Sequence, residues 1–366
     1  MHITLVGLPL SGKTTVFNAL TGQREVVGPG AGRPEAHRAM VKVPDDRLDW
    51  LAGLFRPHKV TPAEVCFVDL AGIPQGAARQ GLPASFLAAI GEADALIHVL
   101  RAFENPHAPH PAGSIDPARD LAQLDAEFLL ADLSVVERRL ERLEQEIPKL
   151  PRSEKEARLH EHDLLQRLKA SLEAEVPLRD LDILPEEEKM LRGFNFLTLK
   201  PVLLLLNIGE ERIEQGDRLA QALAADYRHR RCAVAAMCAE WEMELGELSP
   251  TEAAEFRQAL GLAEPAASRI IRLAYDLLGL ITFFTFVSEE VRAWPLRRGS
   301  TAVDAAGTVH TDMARGFIRA EVVHLDALRE AGSLPEARRR GTLRTEGRDY
   351  LIQDGDVCTF LFTPPR

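Results

Sequence analysis

Short, almost wholly apolar runs recur along this chain, with longer stretches of helical periodicity between them. His2 to Val6, Val65 to Leu70, Ala95 to Val99, Pro201 to Asn207 and Ala233 to Met237 are such runs. Unbroken rather than alternating apolar runs belong to strands covered on both faces, and helices between successive strands make the pairing parallel. The pattern predicts an α/β fold with a mostly parallel sheet and helices on both faces. In such sheets ligand chemistry gathers at the carboxyl ends of the strands.

Between the third and fourth runs the periodicity changes. Leu129, Leu133, Val136, Leu140, Leu143, Ile147 and Leu150 are spaced alternately by four and three, the seam of a coiled coil, and Glu137, Arg138, Arg139, Glu141 and Arg142 fill outward positions. Pro148, Pro151 and Ser153 interrupt the run before a second helix carrying Leu164, Leu165, Leu168 and Leu172. An antiparallel helical hairpin satisfies both stripes, as a structural arm or as an arm that docks a partner. After Leu280 the helical period ends. Thr282 to Val287, Phe317 to Val323 and Val357 to Phe362 read as strands, Leu325 to Ala331 as a helix, and Arg298-Gly299 and Asp354-Gly355 as turns, which makes a small α+β module. These changes divide the chain into an α/β domain of residues 1–119 and 197–281, a coiled-coil helical insertion of 120–196 and a C-terminal α+β domain of 282–366.

The first strand leads directly into Gly7-Leu8-Pro9-Leu10-Ser11-Gly12-Lys13-Thr14-Thr15, a complete P-loop followed by helix. A phosphate cradle needs that context: a strand to aim the loop and a helix whose free N–H groups receive the anion. Gly12 lets backbone approach phosphate oxygens, Lys13 brings a charge to the β and γ phosphates, and the Thr14 hydroxyl suits Mg²⁺. Leu8, Pro9, Leu10, Ser11 and Thr15 complete the candidate nucleotide-binding loop. The second strand ends in Asp69-Leu70-Ala71-Gly72; a carboxylate there holds Mg²⁺, and the Gly72 N–H meets the γ-phosphate. Lys13 and Gly72 are thus the candidate catalytic groups, and Thr14 and Asp69 the metal ligands.

Gly72 is followed by Ile73, where many switch GTPases carry a glutamine that orients water. Isoleucine offers no hydrogen bond, so unaided hydrolysis is expected to be slow. Gly76, Ala77, Ala78 and Gly81 make the stretch after it a switch segment. The fourth strand ends in Asn207-Ile208-Gly209-Glu210. A guanine site of the switch-GTPase kind uses Asn-Lys-x-Asp; here Ile208 replaces the lysine and the longer Glu210 the aspartate. A rigid aspartate repels the N1 lone pair of adenine, and a glutamate that swings aside removes that repulsion, so adenine is favoured over guanine.

Composition narrows the class. The chain has 366 residues, 46% hydrophobic and 27% charged, with no apolar stretch long enough for a membrane span. The N-terminus enters a strand at once, so no signal peptide is expected, and Cys66, Cys232, Cys238 and Cys358 lack any paired spacing and read as reduced thiols of a cytoplasmic protein. A net charge of −11 disfavours indiscriminate nucleic-acid binding, and no DNA specificity is evident. Arg338, Arg339, Arg340, Arg344 and Arg348 form a local basic patch, either an RNA contact or a solvated surface balanced by Glu336, Glu346 and Asp349. The Gly-Lys-Thr-Thr ending is also compatible with a small-metabolite kinase, but Asp-x-x-Gly, Asn-x-x-Glu and the lack of an arginine-rich lid argue against one.

Further blocks make the chain recognisable: Val43-Pro44-Asp45-Asp46-Arg47-Leu48, Arg101-Ala102-Phe103-Glu104-Asn105, Cys238-Ala239-Glu240, Glu290-Val291-Arg292-Ala293-Trp294, His310-Thr311-Asp312, Gly316-Phe317-Ile318-Arg319-Ala320-Glu321 and Gln353-Asp354-Gly355-Asp356-Val357. With the P-loop and Phe67-Val68-Asp69-Leu70-Ala71-Gly72-Ile73, these resemble the YchF subfamily of the Obg-related GTPases, the Obg-like ATPases, over nearly the whole length. The resemblance implies a central P-loop NTPase (G) domain, a coiled-coil insertion and a C-terminal TGS-like domain with a β-grasp fold. It implies a switch protein that prefers ATP, uses Mg²⁺, has a hydrophobic residue in place of the catalytic glutamine, associates with ribosomes and is tied to stress responses. By position, Lys13, Thr14 and Thr15 would contact phosphates, and Asn207, Glu210, Met237, Cys238 and Ala239 would surround the base. Phe103 would lie near the nucleotide or in the apolar core.

Two departures stand out. The family P-loop usually reads Gly-Leu-Pro-Asn-Val-Gly-Lys-Ser, and Leu10 here has no oxygen for a monovalent cation, so potassium stimulation by that route is not expected. The family's switch I block has no counterpart in Gly28-Pro29-Gly30-Ala31-Gly32-Arg33-Pro34-Glu35-Ala36-His37, where Arg33 or His37 contacts phosphate or the loop is simply solvated. The expected function is a nucleotide-binding switch that binds and slowly hydrolyses ATP, with GTP as the alternative substrate, and acts with the ribosome or an RNA-protein partner through the TGS-like domain or the helical arm. The competing expectation is a nucleotide-binding scaffold with negligible hydrolysis.

Overall fold

The computed structural model describes residues 1–25, 37–70, 82–287 and 289–364. The chain forms two compact units, one of residues 1–39 and 66–277, the other of residues 40–65 and 278–366.

The first unit carries a six-stranded sheet. Its strands are β1 (His2–Val6), β2 (His37–Lys42), β4 (Glu64–Asp69), β5 (Ala95–Ala102), β6 (Val202–Ile208) and β7 (Cys232–Met237), in the order β2-β4-β1-β5-β6-β7. Pairing is parallel from β4 through to β7. The five apolar runs are five of these strands, with ends displaced by at most three residues. Leu96, Leu100, Leu204 and Leu206 pack one core cluster with Phe86 and Ile90 of helix α3 (Ala84–Gly91). Helix α1 (Lys13–Thr21) follows the P-loop, which places its N-terminus at the carboxyl end of β1.

Helices α4 (Pro117–Glu146) and α5 (Arg152–Glu173) form the antiparallel hairpin that the leucine spacing predicts. Their seam is a core of its own, with Val136, Leu140 and Leu143 facing Leu164, Leu165 and Leu168. Arg139 holds Glu161 with bonds of 2.7 and 3.0 Å, and Lys169 meets Glu137 at 2.9 Å. The hairpin nevertheless belongs to the first unit rather than standing apart as a domain of residues 120–196. Buried Asp132 of α4 accepts from Leu197 N at 2.9 Å, Thr198 N at 2.8 Å and Thr198 Oγ1 at 2.7 Å. Tyr227 donates to Asp125 of α4 at 2.8 Å while accepting from Arg179 at 3.0 Å.

The second unit is a mixed six-stranded sheet, ordered β11 (Arg344–Glu346), β10 (Phe317–His324), β12 (Asp356–Phe362), β8 (Leu280–Val287), β9 (Glu290–Arg297) and β3 (Lys59–Thr61). Its helices pack on the sheet, the α+β arrangement expected of the C-terminal residues. The membership of residues 40–65 differs from the expected division, which kept them in the nucleotide domain. β3 is the parallel neighbour of β9, and helix α2 (Asp46–Phe55) ends in Phe55, whose ring stacks on Phe286 at 4.3 Å. The Val43 to Leu48 block therefore has a structural reason. Asp45 caps α2 by accepting from Arg47 N at 3.0 Å, and the Arg47 guanidinium bridges Asp45 and Asp354, each at 2.8 Å.

Candidate functional site

The P-loop lies where β1 passes into α1, beside the ends of β5 and β6. A Cβ on Gly7 would lie 2.5 Å from Val99 O, and one on Gly12, at φ +84°, would lie 2.2 Å from Asn207 Nδ2. Both positions require glycine because backbone and side chain already fill the space. Lys13 is buried and donates to Gly7 O at 3.0 Å and Leu8 O at 3.1 Å, folding its ammonium back over the loop. Burial lowers its pKa to about 8, against the opposing pull of Asp69.

Thr14 donates to Asp69 Oδ2 at 2.8 Å, and the other oxygen, Oδ1, is buried without a partner among the described residues. Burial raises the Asp69 pKa, with the Thr14 bond and the Lys13 charge opposing it. A hydroxyl and a carboxylate with an unused buried oxygen are the hard donors that Mg²⁺ takes, so these residues fit the ion expected here. The buried Ser11 hydroxyl is likewise unpartnered among the described residues.

Asn207 joins three segments. Its Nδ2 donates to Ser11 O at 3.2 Å, and its Oδ1 accepts from Ala239 N at 3.2 Å. Both ends of the carboxamide are engaged, so Asn207 straps the P-loop to the loop after β7. Met237, Cys238 and Ala239 are buried at that loop, and burial pushes the Cys238 thiol up to about 11. Glu210 is exposed at the start of a short 3₁₀ helix, Glu210–Gln215. Ile208 is not brought to this edge: it is 3% exposed and packs in the core cluster with Leu206 and Ala236.

Leu8, Pro9, Leu10, Gly12, Thr14 and Thr15 are half-buried along the loop. Leu10 stands at φ +63°, a left-handed conformation that Asn tolerates and Leu resists. Gly72, Ile73 and the segment through Gly81 lie outside the described residues, as do Gly28 to Ala36. His37 pairs with Glu25 at 3.1 Å, and Glu25 is held by Asn18 through both its N–H and its carbonyl.

Two residues of the block after β5 also reach the loop. Phe103 Cε1 would lie 3.6 Å from a Cβ on Gly12, which sets this ring against the P-loop. Arg101, 2% exposed, was given no role by the sequence reading. The available signal was a charge at the end of an otherwise apolar strand.

Four arginines of the basic patch in the second unit pair with three glutamates. Arg338 makes two bonds of 2.9 Å to Glu321, while Arg339 and Arg340 share Glu336, Arg340 at 2.8 Å. Arg344 lies 3.4 Å from Glu346, and Arg348 donates to Phe317 O at 3.5 Å.

A glycine-lined loop, a buried lysine, a Thr–Asp pair and an Asn strap, all at the carboxyl edge of a parallel sheet, define the P-loop NTPase class in its GTPase form. Residues 2–138 match a family described as 50S ribosome-binding GTPase, and residues 280–363 match the YchF-GTPase C-terminal family, described as a protein of unknown function. The chain is 36% identical to a ribosome-binding ATPase YchF of Bacillus subtilis, with 98% of each chain covered, and 40% identical to that of Haemophilus ducreyi over the same shares. It is 36% identical to Obg-like ATPase 1 of Oryza sativa, covering 99% of this chain and 92% of the other. The solved structure of the Schizosaccharomyces pombe YchF GTPase matches with a TM-score of 0.85 at 29% identity, covering 99% of this chain and 97% of that one. The chain belongs to the YchF family.

Proposed function

We propose that the protein is a nucleotide-operated switch that binds ATP with Mg²⁺, hydrolyses it slowly, and works with the ribosome or an RNA-protein partner in the cytoplasm. The observation that carries this is the Thr14–Asp69 bond of 2.8 Å beside the unpartnered Asp69 Oδ1, set against a buried Lys13. Thr14 and Asp69 would hold Mg²⁺, which when bound neutralises charge on the phosphate oxygens. Lys13 supplies the protein's own positive charge to the same oxygens, and the N–H groups at the start of α1 orient them. Gly72 would contribute its N–H at the γ-phosphate, and Ile73 leaves water positioning to another group, which keeps the rate low. Glu210, exposed and free of the rigid geometry of an aspartate, supports adenine over guanine.

The relatives named ribosome-binding ATPases support a ribosomal partner. The basic face of the C-terminal domain or the helical arm would make that contact, and each carries arginines paired with glutamates. No helix among the described residues is long and apolar enough to cross a membrane. The second reading, a scaffold that binds nucleotide without hydrolysing it, is favoured by Ile73. Titration with matched ATP and GTP analogues, followed by single-turnover hydrolysis with and without ribosomes, decides among these. GTP binding tenfold better than ATP, about 1.4 kcal/mol, overturns the adenine reading. Hydrolysis absent under every condition leaves the scaffold.

A further inference from the structure

Arg101 and Asn207 are partners in the parallel register of β5 and β6, one row at the carboxyl edge of the sheet. They reach successive carbonyls of the P-loop: Arg101 Nη1 donates to Leu10 O at 3.4 Å, and Asn207 Nδ2 to Ser11 O at 3.2 Å. The rest of the guanidinium is anchored on its own side, with Nε donating to Phe103 O at 3.2 Å and Nη2 to Ala108 O at 2.8 Å. It also lies 4.7 Å over the Phe103 ring, which itself abuts Gly12. In a trans peptide the C=O and the following N–H point opposite ways. Holding the Leu10 carbonyl sends Ser11 N across the turn to Leu8 O, at 3.3 Å, and holding the Ser11 carbonyl turns the Gly12 N–H away from Asn207.

We propose that Arg101 is a positioning residue for phosphate binding: with Asn207 it forms a two-point support that fixes the peptide planes of Leu10 and Ser11 before nucleotide arrives. Leu10 gives the support its necessity. At φ +63° it is strained, and without the guanidinium the turn relaxes out of the conformation that shapes the loop for phosphate. Arg101 holds the P-loop at Leu10 and makes no bond to the loop after β7, whereas Asn207 also holds Ala239 there. The two residues therefore have different signatures: loss of Arg101 weakens every nucleoside triphosphate alike, and loss of Asn207 also disturbs the choice of base.

This inference rests on the nucleotide-binding reading, so the wild-type protein is titrated first with non-hydrolysable ATP and GTP analogues. If it binds neither, that reading fails and Arg101 is not at issue. Given binding, Arg101→Gln is expected to weaken both analogues by the same factor, about tenfold or more, with their ratio unchanged. Arg101→Lys, which keeps the charge but reaches fewer carbonyls, is expected to recover part of that loss. Asn207→Ala is expected to shift the ratio as well, and the double variant to lose less than the product of the single losses, because both residues hold one turn. Affinities within about twofold of wild type in a folded Arg101→Gln overturn the proposal, as does a loss confined to one base. Where thermal melting shows that Arg101→Gln does not fold, Arg101→Lys decides: wild-type affinity for both analogues counts against the proposal, and an equal weakening of both supports it.

Discussion

Arg47 and Asp354 stand 307 residues apart in the sequence and 2.8 Å apart in the second unit. Asp354 uses its other oxygen to accept from Thr282 N at 2.8 Å, so one carboxylate joins α2, the turn before β12 and β8. Asp354→Ala is expected to destabilise the protein by about 1–2 kcal/mol, because it removes the acceptor of the Thr282 N–H and one of the two carboxylates on the Arg47 guanidinium. Arg47→Met should cost less, since Asp354 keeps its bond from Thr282 N and Asp45 still caps α2. Urea midpoints of the two variants check the order.

Lys13 carries the plainest pH dependence in the site. Its pKa is lowered to about 8 by burial, and phosphate selects the protonated amine. Triphosphate affinity should therefore be flat from about pH 6 to 7.5 and fall up to tenfold per unit above about pH 8. Lys13→Ala should lose most of the binding and, with it, this decline. A titration series across pH with both proteins makes the comparison.

Leu10 occupies the place of an asparagine in the family pattern, at φ +63°. Leu10→Asn is expected to stabilise the unliganded protein by about 0.5–1 kcal/mol by relieving backbone strain. Exchanging sodium for potassium should leave hydrolysis by the wild-type protein unchanged. A potassium response that appears only in Leu10→Asn would trace it to the restored side-chain oxygen.

Asp132 titrates at about 6, above the ordinary 3.8, because burial outweighs the bonds from Thr198 and Leu197. In that window the folded chain holds a proton that the unfolded chain has released. Stability from this group is thus greatest below about pH 4 and falls as pH rises to about 6, by about 3 kcal/mol. Asp132→Asn should flatten that slope. The difference in unfolding free energy between the two proteins, compared at pH 4.5 and pH 7, isolates it from other carboxylates.

The nucleotide-binding edge was legible because its residues are local in sequence: a strand, a turn with Gly7 and Gly12, and a helix make one site. Strand alternation explains what was not. Asn207 turns toward the P-loop, so Ile208 turns the other way into the core, whatever its place in a base-recognition motif. Arg101 was hidden because its partners are three carbonyls, which leave no mark in a sequence. Residues 40–65 carried no sign of their true neighbours. β3 is three residues long, and its partner β9 is far along the chain and interrupted by Pro295.

That last arrangement sets an order of events during synthesis. Phe55, Leu51 and the edge of β3 leave the ribosome before Phe286 and β9, against which Phe55 and β3 settle and which emerge roughly 230 residues later, on the order of 12–46 s at about 5–20 residues per second. Through that interval an amphipathic helix and an unpaired strand wait while the rest of the first unit, which runs to residue 277, is still being made. A chain broken off before Leu280 never closes them. Copies that stop short of these strands thus carry a lasting mark of their incompleteness, a sticky segment that only the residues beyond Leu280 can hide.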